Sequence, residues 1–316
     1  MNDQTRVVGL SVDPAEVPEW TQELERAIAD SGLPVRLDAD ANAADVDYLV
    51  YNIDGGLTEF SAYPKLRVIL NTWAGVEAVM GKVHWPAHVP FCRMAEDGMT
   101  DGMSEYFVGH TMRYILDIDR SIAQSAEGVW QKYSPRLARQ TSVGILGLGV
   151  LGQATAAKLS ALGFQVHGWS RSLKQIDGIT CHAGSDGLRA VLTEAQILIL
   201  ILPLTDATRH VLNAETLGLL PEGACVINAG RGPLIDDDAL LEGLASGHVR
   251  HATLDVFAVE PLPSDHAYWR HSQVTVTPHI AAETRFDTAA ASIVEQIRRD
   301  IAGEPLLQVV DPAAGY

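Results

Sequence analysis

Apolar residues along this chain fall into two rhythms. Continuous runs of strand length, "RVVGLSV" (6–12), "VDYLVYN" (46–52) and "LRVIL" (66–70), suit a parallel sheet buried on both faces. After the first run, Trp20, Leu24, Ala27 and Ile28 repeat at helical spacing. The first hundred residues are therefore predicted to form one α/β unit of alternating short strands and helices. Few breakers occur between about 103 and 124, which predicts a single long helix. A second series follows, with strands predicted at 142–146, 165–169, 197–202, 224–228, 252–256 and 274–277. Helix-length segments separate them. One of these, "DDDALLEGLASG" (236–247), opens on Asp236, Asp237 and Asp238, which complement the helix dipole, and stops at a glycine. Another long helix is predicted over about 283–301. The two long helices bracket the second series, so the simplest topology inserts residues 100–283 into a domain built from 1–99 and 284–316. Ligands would occupy a cleft between the two.

Composition narrows the function classes. A chain of 316 residues that is 47% hydrophobic has the material for two cored domains. The formal net charge of −17 argues against a nucleic acid or an anionic membrane as partner. No apolar run approaches the roughly 18 residues of a membrane span. The longest, 197–202, ends at Pro203. The amino terminus lacks the basic and apolar regions of a signal peptide. Cys92, Cys181 and Cys225 are scattered, which fits a reducing cytoplasm better than a disulfide scaffold or zinc ribbon.

The segment "GLGVLG" (147–152) follows an apolar strand and opens a helix, the context that makes GxGxxG a dinucleotide signature. Gly147 permits the tight turn, Gly149 lets backbone approach a pyrophosphate, and Gly152 lets helix and strand pack. Val150 and Leu151 would supply further helix-start N–H groups to the anion. Residues 100–283 are thus expected to form a Rossmann-type dinucleotide-binding domain. About twenty residues on, "HGWSRS" (167–172) offers Ser170, Arg171 and Ser172 where an acidic residue would select NAD(H). A guanidinium and hydroxyls can bind a 2′-phosphate, so NADP(H) is expected to be preferred, with NAD(H) as the lesser alternative.

The stretch from 224 to 284 is richer in chemistry. Arg231 follows a strand, Glu260 precedes Pro261, and Pro278 precedes His279. Singly, each has an ordinary reading as an ion pair, a turn carboxylate or a strand-end histidine. Together the stretch resembles the D-isomer-specific 2-hydroxyacid dehydrogenases, and "CRMAEDGMTDGMSEY", "LPLTDAT" and the terminal "GY" extend the resemblance over the whole chain. That resemblance implies an outer domain of flavodoxin-like α/β type. It also implies reduction of short 2-oxo acids such as glyoxylate and hydroxypyruvate, with Arg231 on the substrate carboxylate and carbonyl. His279 would be the proton donor, and Glu260 would hold it as imidazolium. Asp255 would meet the nicotinamide carboxamide, while Leu202, Pro203, Thr208 and Ala229 would line the cofactor site.

Trp73, Ala74 and Gly75, in "NTWAGVEAV" (71–79), lie where a strand is expected to open a helix, so N–H groups at 74–76 can bind the acid. Trp73 stands where the family usually has a smaller residue and would wall the pocket. Arg93 and Met99 are weaker candidates for the same cleft. The helix at 103–124 is expected, by family analogy, to be a homodimer surface, with burial within one chain as the equal alternative. Other 2-hydroxyacid specificities and a cofactor-sensing binding protein on the same fold are the competing readings.

Overall fold

The computed structural model describes residues 5–76, 79–80 and 82–311. The chain divides into two compact units, 1–99 with 284–316, and 100–283. Among the described residues the strands are β1 (Arg6–Ser11), β2 (Val35–Leu37), β3 (Tyr48–Tyr51), β4 (Val68–Asn71), β5 (Phe91–Cys92), β6 (Ser142–Leu146), β7 (Gln165–Trp169), β8 (Thr180–His182), β9 (Ile197–Leu200), β10 (Ala224–Asn228), β11 (Val249–Leu254) and β12 (Val274–Val276). The α-helices are α1 (Val17–Ser31), α2 (Asp97–Leu116), α3 (Ile118–Ala126), α4 (Val150–Ala161), α5 (Gly184–Glu194), α6 (Ala214–Leu217), α7 (Asp237–Ser246) and α8 (Phe286–Ala302).

In the first unit β1–β5 form a parallel sheet in the order β2-β1-β3-β4-β5, the flavodoxin-like winding. Helix α1 buries Trp20, Leu24 and Ile28 and ends at Gly32, whose φ of 63° needs a residue without Cβ. It packs beside α8, with Trp20 edge-on to Phe286 at 5.0 Å between ring centroids. The expected alternation of strands and helices fails after β3. Among the described residues, the path from β3 to β4 has only a 3-10 turn at Ile53–Gly55. Gly55, Gly56 and Pro64 break that segment, and Pro86 and Pro90 break the next. Phe60, Leu66, Val83 and Val89 from these irregular stretches are buried in one core cluster with Leu49 and Ile69 of the sheet.

In the second unit all seven strands are parallel, in the order β12-β11-β10-β9-β6-β7-β8. Counted from β6, this is the doubly wound 3-2-1-4-5-6 order with one strand added at the far edge. One core cluster sets Met103, Phe107, Tyr114 and Ile115 of α2 and Leu159 of α4 with Val143, Ile145 and Ile199 of the sheet. The other sets α5, α6 and α7, through Val191, Leu192, Leu217, Leu240 and Leu244, with Leu198, Leu200 and Val226. The strand order reverses between β6 and β9, and ligands of open α/β sheets bind outside the carboxyl ends at such a point.

The helix expected over 103–124 is two helices. Asp117 adopts φ 53°, which ends the α-helical path and starts α3 in a new direction. The apolar side chains of α2 named above are buried in the core of their own unit, while Ile118 and Ile122 of α3, in the second half of the expected helix, are exposed.

Candidate active site

At the carboxyl end of β6, the turn is shaped by what its glycines lack. Gly147 has φ 117°, and a Cβ there would meet the Ile201 carbonyl oxygen at 2.6 Å. A Cβ on Gly152 would lie 1.8 Å from the Gly147 oxygen, inside any bonding-free contact. Gly149 differs: a Cβ there meets nothing within 4 Å, so its missing side chain leaves an open hollow at the start of α4. Gly149 is the N-cap of α4, no side chain caps the helix, and its first turn carries no acidic residue. The first-turn N–H groups are therefore available to an anion, which the helix dipole favours. Val150, 70% exposed, borders the hollow, followed by half-buried Leu151. This cradle fits the pyrophosphate of a dinucleotide.

Past β7, Arg171 and Ser172 are exposed and neither side chain has a partner among the described residues. Ser170 behaves otherwise. It is 8% exposed and its hydroxyl donates to the Ser172 carbonyl at 2.9 Å, so its proton shapes the turn instead of facing solvent. A 2′-phosphate would thus fall to Arg171 and Ser172.

At the far side of the same sheet, β10, β11 and β12 end beside one another and present the chemical groups. Asn228, the last residue of β10 and 1% exposed, accepts from the Gly230 N–H at 3.1 Å and donates to the Arg231 carbonyl at 3.0 Å. This pins the turn that carries Arg231, whose guanidinium donates to the Gly230 oxygen at 2.7 Å. Gly232 follows, and a Cβ there would sit 2.0 Å from the Phe257 carbonyl carbon. Only glycine allows the Arg231 turn to touch the 257–260 turn so closely.

In that second turn the Phe257 N–H donates to Glu260 Oε1 at 2.8 Å, which aims Oε2 at His279 Nδ1, 2.7 Å away. His279 itself has φ 56°, a conformation that costs a non-glycine residue about 1–3 kcal/mol. Asp255, 1% exposed just beyond β11, holds it there. Its Oδ1 accepts from the Thr277 hydroxyl at 2.5 Å and the Ile280 N–H at 3.0 Å, and its Oδ2 accepts from the Ala281 N–H at 2.9 Å.

Electrostatics follow this geometry. The hydrogen bond to Glu260 raises the His279 pKa above its ordinary value; burial opposes the rise, the charges of Glu260 and Asp255 add to it, and Arg231 subtracts. Burial pushes the Glu260 carboxyl up, but the hydrogen bonds from His279 and Phe257 N–H outweigh it and hold the group below its ordinary value. The His279 side chain is 54% exposed and its Nε2 has no protein partner among the described residues, so a proton there can be handed outward. The arrangement can donate a proton near a guanidinium, a group able to pair with a carboxylate.

Residues 108–281 match the family model for the D-isomer specific 2-hydroxyacid dehydrogenase, NAD binding domain. A glyoxylate/hydroxypyruvate reductase A from Yersinia enterocolitica is 40% identical over 257 residues, 80% of this chain and 82% of that relative. The chain belongs to the D-isomer specific 2-hydroxyacid dehydrogenase family. Among solved structures, a family member from Xanthobacter autotrophicus Py2 in complex with NADPH and MES superposes with a TM-score of 0.86 at 37% identity, covering 99% of this chain and all of that one. An NADPH-dependent glyoxylate/hydroxypyruvate reductase from Sinorhizobium meliloti, in complex with NADP and sulfate, does so with 0.84 at 34% identity over 99% and 100%.

In this 2-hydroxyacid dehydrogenase, the remaining residues singled out from sequence take varied places. Leu202 and Ala229 are buried beside the switch point, Pro203 is exposed, and the Thr208 hydroxyl donates to the Pro203 carbonyl at 2.7 Å, bracing that loop. Buried Asp255 receives three donors on its two oxygens, and a carboxylate can accept a fourth. In the first unit, Trp73 is half-buried, and its carbonyl accepts from Asn71 Nδ2 at 2.7 Å and Met94 N–H at 2.9 Å. Residues 74–76 and 79–80 are not helical; the Val76 oxygen accepts from the Val79 and Met80 N–H groups and the Val79 oxygen from those of Lys82 and Val83, while Glu77, Ala78 and Gly81 lie outside the described residues. The N–H groups of Ala74, Gly75 and Val76 still have no partner among the described residues. Met99 is 3% exposed and its N–H donates to Glu96, while the Arg93 guanidinium donates to Gln308 at 2.9 Å. The terminal "GY" lies outside the described residues.

Sequence reasoning overlooked Asn228, Gly232 and Thr277. The run "NAGRG" carried a signal for the first two, a polar residue ending an apolar strand before a glycine-rich turn.

Proposed function

We propose that this family member reduces short 2-oxo acids, glyoxylate and hydroxypyruvate among them, to 2-hydroxy acids with NADPH. The His279–Glu260 pair at 2.7 Å carries this reading, because it keeps a donatable proton on an imidazole beside Arg231. The named relatives and the NADPH-bound structures support the substrate class and the cofactor.

In this reading the glycine turn at 147–152 holds the pyrophosphate, with Val150 and Leu151 at its edge. Arg171 and Ser172 hold the 2′-phosphate, and Ser170 shapes their turn. Leu202, Pro203 and Ala229, with Thr208 as their brace, shape the approach to the nicotinamide. The bound cofactor supplies the hydride. Arg231 pairs with the substrate carboxylate and polarises the carbonyl. His279 gives the Nε2 proton to the carbonyl oxygen as negative charge develops there. Glu260 stabilises the imidazolium before transfer and orients the ring afterwards. Ala74 and Gly75 lend N–H groups to the carboxylate, and Trp73 limits side-chain size.

Loss of NADPH absorbance with glyoxylate or hydroxypyruvate, compared with bulkier 2-oxo acids and with NADH, tests the reading. No oxidation with any short 2-oxo acid would overturn it.

The working form in this proposal is a cytoplasmic homodimer. Helix α3 buries none of its residues, and Ile118, Ile122, Val129 and Trp130 are exposed, Trp130 at 93%. These apolar side chains suit a second copy of the chain better than water does. A monomer in equilibrium sedimentation at micromolar concentration would contradict it.

A further inference from the structure

Helix α2 turns three aromatic side chains, Tyr106, His110 and Tyr114, along one face, four residues apart. Tyr114 and His110 meet Thr253 of β11, and Tyr106 meets Thr277 just past β12. The Tyr114 hydroxyl lies 2.6 Å from Thr253 Oγ1, and the His110 ring stacks obliquely on Tyr106 at 4.5 Å. The Tyr106 hydroxyl lies 2.8 Å from Thr277 Oγ1. Thr277 has one proton, and it points to Asp255 Oδ1 at 2.5 Å, so Tyr106 must donate to Thr277. Burial raises the Tyr106 pKa, which keeps this hydroxyl protonated. The run of donors is therefore directed, from Tyr106 to Thr277 to Asp255, and Asp255 receives the N–H groups of Ile280 and Ala281.

We propose that Tyr106 and Thr277 are positioning residues for proton transfer: their hydroxyls fix the rotamer of Asp255, which clamps the 277–281 loop and holds His279 toward Glu260. Neither residue touches the reacting atoms. The need for such a clamp lies in His279, whose left-handed backbone relaxes unless its neighbours are held. With Tyr106 gone, Thr277 loses its donor and can turn away. With the Thr277 hydroxyl gone, Asp255 Oδ1 keeps only the Ile280 N–H.

This inference rests on His279 as proton donor, and the experiment separates the two. Tyr106→Phe, Thr277→Val, Thr277→Ser, the Tyr106→Phe/Thr277→Val double variant and His279→Ala are compared by steady-state reduction of glyoxylate with NADPH across pH. Loss of one hydroxyl hydrogen bond should lower kcat about fivefold in Tyr106→Phe, with KM changed less than about twofold. The alkaline limb should stay in place, because the charge on Glu260 is untouched. Thr277→Val should lose more, Thr277→Ser should recover most of it, and the double variant should be no slower than Thr277→Val because the two hydroxyls act as one unit. Unchanged kcat in both single variants would overturn the relay. So would additive losses, or a joint loss of kcat and of NADPH binding read from tryptophan fluorescence, which mark a merely structural role. A fully active His279→Ala would instead overturn the proton-donor reading, and the relay with it.

Discussion

The nucleotide turn at 147–152 and the chemical turns at 228–281 sit at the carboxyl ends of one sheet yet obey opposite rules. At the first, the site is made by side chains that are missing. Gly147 and Gly152 leave no space for another atom, and Gly149 leaves an open hollow over the helix start. At the second, the site is made by side chains bound to other side chains: Glu260 to His279, Thr277 to Asp255. One region should fail when an atom is added, the other when an atom is removed. Gly232 is the exception that joins them, since the chemical turns approach each other only where a Cβ is absent.

The largest effect tests the second rule. His279→Ala removes the donor and should cut the reduction rate about 10²–10⁴-fold, the usual range for a general acid. NADPH affinity, measured by fluorescence titration, should hardly move. A rate within tenfold of the unmodified protein would place the proton elsewhere.

Adding one carbon tests the first rule. In Gly152→Ala the new Cβ starts 1.8 Å from the Gly147 oxygen, so the turn must shift. Overpacking of this kind costs about 1–3 kcal/mol, and both the melting temperature and NADPH affinity should fall. Gly149→Ala should cost little stability, since nothing lies within 4 Å, but should weaken NADPH binding by filling the hollow. Equal behaviour of the two variants in thermal melts would erase the distinction.

A smaller effect probes where the first rule stops. Arg171 is a side chain that the nucleotide end does need if a 2′-phosphate is read there. Arg171→Ala should remove most of a preference for NADPH over NADH of about tenfold, which is about 1.4 kcal/mol. The ratio of kcat/KM for the two cofactors measures it. An unchanged ratio would leave the preference to Ser172 and the helix start.

The contrast also explains what could be read from sequence. The glycine spacing was readable because its reasons are local: a turn, a helix start and a close approach all lie within six residues. Arg231, Glu260 and His279, each ordinary by itself, stood out by their joint spacing and the family resemblance it carried. Tyr106 and Thr277 did not, because their meaning comes from each other across 171 positions. Tyr106 alone looks like one more core aromatic on a long helix. Strands β2, β5 and β8 escaped because two or three residues at a sheet edge carry no periodicity. The break at Asp117 escaped because no glycine or proline announces it. The helices missing among the described residues between β3 and α2 were a misreading of segments in which glycine and proline had already spoken against them.

The central claim is that Glu260 keeps His279 charged for reduction, and pH–rate profiles of Glu260→Gln test it most directly. His279 must be protonated, so the unmodified rate should fall as pH rises through its raised pKa. Glutamine fills the same space without the charge, which lowers that pKa. The alkaline fall should therefore move to lower pH in the variant, while in the oxidation direction, where His279 must be neutral, the acidic rise should move to lower pH as well. Deuterated NADPH confirms that hydride transfer limits the rate in both proteins, since product release can mask chemistry. A limb that stays where it was, with the isotope effect expressed, would contradict the account.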